Sequence, residues 1–557
     1  ESWGDYEPRP GVHSLIQPVM QPVFATKQTG DVLLSGARRA GATLPSQATT
    51  FHDYLRERWQ QDIHPRVPGA AAFEDWWREA LTLGVVTIEQ PAPPPATLNA
   101  AALDQLRLDV PAFAGDPGDY HLVVYPSYRF YDGRLANRPW LQELPDPVSK
   151  VSWSSWVEAH PTTAAELGLD NGSVVEVRTQ HGAAELPVWI HPGIRRDTVA
   201  VQLGAGHEAL GRYAQGRGTN AVRLLGAVVE EPSGALVWQQ TRASLRPTGD
   251  WVKLPLDGRR TDAGREIVRH TTLDAAITAE AAHGEEPLRQ LQGTGGFAPL
   301  PVDPGPTGFP PPGTFYGEYS QVQPRWGMAI DLERCIGCSA CVTACYAENN
   351  IGIVGPQLVA RDRILNWIRI ERYYSPAVDD VKRGADFIPM LCQHCGTAPC
   401  EPVCPVYAAY HTPDGLNAQI YNRCVGTRYC ANNCPYKVRY FNWFTWEWPE
   451  PLNWGLNPDV TVREKGVMEK CTFCVQRIRD AQQAARLEGR AVPDGEIVPA
   501  CAQTCPGDAI VFGDLRDPES RVARIAASGR GYRVLDELNT QPAIVYLKKV
   551  VAETSEG

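Results

Sequence analysis

All 15 cysteines of this 557-residue chain lie after position 334, and they fall into four ladders. The first is CIGCSACVTAC, with Cys335, Cys338, Cys341 and Cys345, and the second is CQHCGTAPCEPVCP, with Cys392, Cys395, Cys400 and Cys404. The third, CVGTRYCANNCP, has Cys424, Cys430 and Cys434, with Thr427 where the rhythm asks for another cysteine. A split fourth joins Cys471 and Cys474 to Cys501 and Cys505. Such spacing dictates the fold around it. Closely spaced cysteines on a tight loop wrap the corners of a cuboidal iron–sulfur cluster, and a further cysteine beside a proline projects toward a second cluster. Structural zinc takes two C-x2-C knuckles per site and has no use for a third close cysteine. Disulfide scaffolds do not crowd thiols so regularly. Thr427 leaves three readings from the residues alone: a decayed site, a zinc site, or a cluster with one iron fewer. Its hydroxyl is hard and protonated, a poor substitute for a soft thiolate.

The rest of the chain reads as other units. Its length suggests roughly three or four domains. A formal net charge of −11 argues against a surface that tracks phosphates, and so against nucleic acid as a partner. No apolar run reaches about 18 residues, so the expectation is no transmembrane helix and a membrane association made through a partner. The chain starts at Glu1 without a basic-then-apolar leader, which suggests a removed leader or an absent N-terminal part. Between the cysteine-free part and the ladders, GFAPLPVDPGPTGFPPPG carries seven prolines from Pro299 to Pro312 and predicts a stiff, extended linker.

Within the cysteine-free part, TTFHDYLRERWQQ (Thr49 to Gln61) and AFEDWWREALTLG (Ala72 to Gly84) have helical spacing. From Tyr120 the texture changes to short β-rich runs, HLVVYPSYRF, GSVVEVRTQHG, AELPVWIHPG and DTVAVQLGAGH, which predict a small barrel or sandwich. HPTTAAELGLDNGSVVEVRTQHG with VWIHPGIRRDTVAV resembles the C-terminal β-barrel domain of the molybdopterin oxidoreductase superfamily, which covers the pterin dinucleotide in active members. NRPWLQELPDP (Asn137 to Pro147) and LGAGHEALGRYAQGRGTN (Leu203 to Asn220) resemble that family's cofactor-facing loops, which singles out His160, His207, Arg212 and Arg217. Glycine-rich loops are weak evidence alone, and the plain reading of those four is turn residues. In that family the metal ligand comes from domains before the barrel, so no molybdopterin and no molybdenum are expected here.

The four ladders, in this order, resemble the four-cluster ferredoxin-like subunits of membrane-bound molybdoenzyme complexes. The resemblance implies that Cys335, Cys338, Cys341 and Cys505 hold one 4Fe-4S cluster, and Cys345, Cys471, Cys474 and Cys501 a second. Cys392, Cys395, Cys400 and Cys434 hold a third. Cys404, Cys424 and Cys430 remain, the ligand complement of a 3Fe-4S cluster with Thr427 at its open corner. A pterin-type barrel joined to such a module is similar to the iron–sulfur subunit family of bacterial alternative complex III, and ESWGDYEPRPGVHSLIQPVMQPVF resembles a stretch inside those proteins.

The expected fold is therefore multidomain α+β. It comprises a remnant of a molybdopterin-oxidoreductase-like α/β domain (1–117), a β-barrel domain (118–255), a Pro-rich linker (256–324) and a four-cluster ferredoxin-like domain (325–557). The resemblance implies electron transfer with no substrate chemistry in this chain, so no catalytic residue is named. Electrons would pass from quinol, through three 4Fe-4S clusters and one 3Fe-4S cluster, to c-type haems. The implied partners are a polytopic quinol-binding membrane subunit (NrfD-like) and a multihaem cytochrome c subunit, on the periplasmic side of the bacterial cytoplasmic membrane. The alternative is a fused iron–sulfur subunit of a molybdopterin-dependent reductase of the polysulfide or dimethyl sulfoxide type. After the third ladder, RYFNWFTWEWPEPLNWG places Trp443, Trp446, Trp448 and Trp454 either as a docking face or as packing for an insertion.

Overall fold

In the computed structural model, the described residues are 2–22, 24–44, 46–89, 99, 112–116, 119–230, 234–257, 264–282, 324–375 and 384–551. The chain divides into two compact units, Glu1–Val110 and Pro111–Gly557. In the first, strands β1 (Gly4–Arg9), β2 (Val12–Ile16) and β3 (Val85–Thr87) form an antiparallel sheet with β2 in the middle. The two helices expected there form as Phe51–Arg58 and Phe73–Leu83. Thr50 caps the first by accepting from the Asp53 amide, and Gly84 ends the second in a left-handed turn. Trp59, Trp76, Trp77 and Phe73 fill this unit's core.

The second unit holds both the barrel and the cysteines. Strands β4 (Tyr120–Tyr125), β5 (Val157–Ala159), β6 (Ser173–Arg178), β7 (Ala183–Ile190), β8 (Thr198–Gln202) and β9 (Arg242–Trp251) close in the order β4-β8-β5-β7-β6-β9. Alternate residues such as Leu122, Val175, Val177, Leu186, Val188 and Val201 point inward and are fully buried. Each contributes about 1.5–3 kcal/mol by leaving water.

The cysteine-bearing part is built on a four-stranded sheet in the order Ile510–Asp514, Trp326–Asp331, Ile544–Leu547, Gly531–Tyr532. Strand β11 (Trp326–Asp331) lies inside it, antiparallel to β18 (Ile510–Asp514) and parallel to β20 (Ile544–Leu547), with β19 (Gly531–Tyr532) at the edge. A hairpin of β12 (Ile368–Tyr374) and β13 (Ala385–Leu391) runs directly into the second ladder.

Two expectations change. The barrel and the ladders are not separate bodies strung on a linker, because the barrel's loops bury polar groups against the cysteine-bearing part. Trp140 Nε1 donates to Ile351 O at 2.9 Å, Arg372 Nε donates to Val148 O at 3.0 Å, and the Glu143 carboxylate accepts from Val354 N and Gly355 N, both at 3.2 Å. The span 256–324 is also not all linker: strand β10 (His270–Thr272) pairs in parallel with β21 (Lys549–Val551), and Val268 joins the core around the cysteines. The proline run from Pro299 to Pro312 lies outside the described residues. Among the described residues no helix is long and apolar enough to cross a membrane.

Candidate metal centres

The ladders sit on loops between these elements. The helix Ala340–Glu348 carries Cys341 and Cys345 and packs against Ala500–Gln503, which carries Cys501. Cys335, Cys338, Cys341 and Cys505 line one small cavity, although about 160 residues of chain separate the last from the others. Burial pushes the Cys335 thiol up to about 11 and Cys341 higher still, and the neighbouring thiols of the same cavity push the same way. Cys345 is raised by burial and then by Cys471, Cys474 and Cys501, and Cys395 by burial and then by Cys392, Cys400 and Cys434. The first set thus lines one cavity, and the thiols of the other two lie within electrostatic reach of one another, although among the described residues no group of three or more is already arranged to hold a single metal ion.

None of these sets tolerates four bare thiolates. Like charges crowded in a dry site hold the protons on, and iron bound there would supply the missing positive charge. The donors are all soft sulfur, which suits iron–sulfur clusters. None of the 15 cysteines is joined in a disulfide.

The remaining three cysteines occupy loops of the same design. Gly426 and Arg428 have φ of +73° and +65°, and Gly337 and Ser339, which flank Cys338 in the first ladder, have φ of +71° and +57°. Thr427 therefore occupies the backbone position of Cys338, with a short helix following in each case. The three Cys-Pro turns also match. Tyr407, Lys437 and Asp508, each third after its cysteine, are left-handed at φ +52°, +53° and +48°. The next amide reaches back to sulfur: Ala408 N donates to Cys404 Sγ at 3.1 Å, Ala509 N to Cys505 Sγ at 3.3 Å, and Val438 N to Cys434. Met468 N donates to Cys424 Sγ at 3.4 Å, and Cys430 is buried. Thr427 itself is exposed, beside exposed Val425 and Tyr429.

The barrel residues singled out from sequence have local roles. His160 Nδ1 accepts from Thr162 N at 3.1 Å and caps the helix Pro161–Glu166. Arg217 lies over the Trp153 ring at 5.1 Å, and Arg212 over Tyr213 at 4.8 Å. His207 packs on Gly133. The loop from Leu203 to Asn220 folds back on itself so tightly that a Cβ at Gly206 would stand 2.2 Å from Asn220 N, and one at Gly211 2.3 Å from Asn137 Nδ2. Gly216 has open space beside it, and His207 Nε2 and Arg217 Nε are buried without a hydrogen-bond partner among the described residues, so the loop combines tight internal packing with polar atoms left unused.

The tryptophan stretch divides. Trp448 packs on Trp140 (5.7 Å between centroids) and Trp446 on Trp448 (6.0 Å), whereas Trp454 is exposed and Trp443 sits under Arg363 and Arg428. Two contacts had no signal in the sequence: the Tyr128 hydroxyl of the barrel bonds Cys338, and the buried Arg439 touches Cys400, with Cys430 within its electrostatic reach.

Comparison with known proteins agrees with this division. Residues 120–230 match the molydopterin dinucleotide binding domain, and residues 334–408 and 384–449 match 4Fe-4S dicluster domains. The iron–sulfur cluster-binding subunit of menaquinone reductase from Nitratidesulfovibrio vulgaris is 42% identical over 244 residues, 42% of this chain and 91% of that protein. The Hdr-like menaquinol oxidoreductase iron–sulfur subunit 1 of Archaeoglobus fulgidus is 34% identical over 40% of this chain and 83% of its own. The B subunit of polysulfide reductase from Wolinella succinogenes is 31% identical over 40% of this chain and 92% of its own.

Proposed function

From a chain that belongs, through its cysteine-bearing part, to the family of iron–sulfur cluster-binding oxidoreductase subunits, we propose an electron-conducting subunit of a membrane-bound quinol-oxidising complex of the alternative complex III type. Cys335, Cys338, Cys341 and Cys505 hold one 4Fe-4S cluster, Cys345, Cys471, Cys474 and Cys501 a second, and Cys392, Cys395, Cys400 and Cys434 a third. Cys404, Cys424 and Cys430 hold a 3Fe-4S cluster. The observation that carries the reading is the matched backbone around Cys338 and Thr427: the third ladder keeps the shape of a ligand loop while omitting one thiolate. A decayed loop has no reason to keep two left-handed residues in this spacing, one of them an arginine.

When bound, such clusters take up and release one electron each. This chain's residues hold the sulfur atoms, exclude water from the cores around them, and aim backbone amides at the thiolates. In the partner membrane subunit quinol loses two electrons and two protons to become quinone, and the electrons end on c-type haems of the multihaem partner on the periplasmic side. The exposed Tyr407, Val425 and Tyr429 near the three-cysteine site suit the rim facing that membrane subunit.

The matches to a pterin-binding domain and to polysulfide reductase favour a second reading, a fused subunit of a molybdopterin-dependent reductase. Metal analysis and paramagnetic resonance of the intact complex separate the two. Our reading expects about 15 irons per chain, an oxidised three-iron signal and quinol-dependent haem reduction. Molybdenum or tungsten at about one per complex overturns it in favour of the reductase.

A further inference from the structure

Arg439 is almost fully buried in the core that the cysteines share. Its Nη1 donates to Asn417 Oδ1 at 3.1 Å and lies 3.6 Å from Cys400 Sγ, its Nη2 donates to Gln419 Oε1, and the Cys430 thiol lies within its electrostatic reach. Its neighbours are therefore amide oxygens and the thiols of two different ligand sets. Two other arginines of the same core hold carboxylates, Arg369 with Glu371 at 2.6 Å and Arg463 with Glu469 at 3.0 Å. Among the described residues no carboxylate pairs with Arg439. A buried guanidinium needs a counter-charge, and the anions within its reach are the ligand sulfurs of Cys400 and Cys430.

We infer that Arg439 is a positioning residue shared by two neighbouring centres, that of Cys392, Cys395, Cys400 and Cys434 and that of Cys404, Cys424 and Cys430, and that its fixed charge raises the reduction potentials of both together. Each centre gains negative charge when it takes up an electron, and a cation within reach of a ligand sulfur of each favours the reduced form of both. The electron that leaves one centre enters the other, with no proton or bond change at Arg439. Because the cation is common to both, the difference between their potentials stays nearly unchanged while both are shifted relative to the other two centres. Asn417 completes the arrangement: its Oδ1 lies 3.8 Å from Cys400 Sγ and 4.0 Å from Cys392 Sγ and holds the guanidinium in place.

The inference rests on the cluster assignment above, whose own test is the iron count; the test here is a redox titration of the holo-complex followed by paramagnetic resonance. In Arg439→Gln the reduction equilibria of both adjoining centres should fall at least tenfold, about 59 mV for one electron, with the other two centres unmoved. Arg439→Lys, which keeps the charge, should recover most of that shift. A shift in only one adjoining centre, or an equal shift in all four, overturns the inference. So does an unmoved pair. Should Arg439→Gln assemble without one of the two centres, Gln419→Glu tests the same charge by setting a carboxylate against Arg439 Nη2 in place. The centre of Cys404, Cys424 and Cys430 must then become harder to reduce, and an unchanged equilibrium there overturns the inference, whereas an iron count far from about 15 in the wild type overturns the assignment instead.

Discussion

Replacing Thr427 by Cys should convert the three-iron site into a four-iron site. The backbone on either side already has the left-handed values that flank Cys338, so the new thiol enters a loop shaped for a ligand. Thr427 is exposed, and a surface substitution of this kind changes stability by no more than about 0.5 kcal/mol. Arg428, held over the Phe441 and Trp443 rings at 5.2 and 4.8 Å, keeps its place beside the new ligand. Iron should rise from about 15 to about 16 per chain, and the oxidised three-iron signal should disappear. The fourth thiolate and the fourth iron come in together, so the net charge changes little and it is the change of cluster type that lowers the potential, each tenfold change in the reduction equilibrium being about 59 mV. Quinol oxidation by the assembled complex should fall while the other three centres titrate as before. The assays are iron analysis, paramagnetic resonance and quinol-dependent cytochrome c reduction. A wild type without an oxidised three-iron signal, or a variant that keeps it, refutes the assignment. Full conversion with undiminished quinol oxidation refutes this centre's place as first acceptor.

Cys505→Ser should damage the centre of Cys335, Cys338 and Cys341 while sparing that of Cys345, Cys471, Cys474 and Cys501, read from which resonance signal is lost. Glu469→Gln leaves the buried Arg463 without its carboxylate and weakens the bonds from Trp367 Nε1 and Asn442 Nδ2, so the urea midpoint of the full chain should drop by the equivalent of about 3–5 kcal/mol; an unchanged midpoint rejects the pairing. Glu158, pushed up to about 7 by burial from an ordinary value of 4.5, binds a proton in the folded state that the unfolded chain has released. Its contribution is therefore full below pH 4.5 and is lost as pH rises to about 7, at most about 3 kcal/mol, so the thermal midpoint should fall from pH 5 to pH 8 and fall less in Glu158→Gln.

What the sequence made legible follows from how far each signal reaches along the chain. The ladders are dense and local, so an iron–sulfur module could be read by motif. Gly84 ending a helix and the alternation in Ser173–Arg178 are equally local. Strand β10 was invisible because three residues, His-Thr-Thr, carry no period, and their partner lies at the far end of the chain. Arg439 and Asn417 belong to no spacing pattern; only folding brings them to the sulfurs of Cys392, Cys400 and Cys430. The tryptophan stretch stayed ambiguous because exposure is decided by what packs on it. Trp448 is covered by Trp140, some 300 residues away, whereas Trp454 meets nothing comparable. His160 drew notice as a polar residue on a loop, and its task is to cap the helix that follows.

The barrel's place in the molecule follows from the same contacts. Lys150, wholly buried, has its amine pushed down to about 7 by burial and donates to Ile370 O of the hairpin that leads to the second ladder. Glu143 is pushed up to about 7 by burial while it accepts from Val354 N and Gly355 N, just past the helix that carries Cys341 and Cys345. Asp257 meets Asn366, and Tyr128 reaches Cys338 itself. Removing the barrel would strip these backbone amides and carbonyls of their partners and open the first ladder to water, both of which disfavour a dry cluster site. Its loop from Leu203 to Asn220 packs on itself at Gly206 and Gly211 and makes none of these contacts. The barrel thus forms part of the wall around the cysteine-bearing core, and Trp140, Glu143, Lys150 and Val148 supply the polar contacts that hold it there.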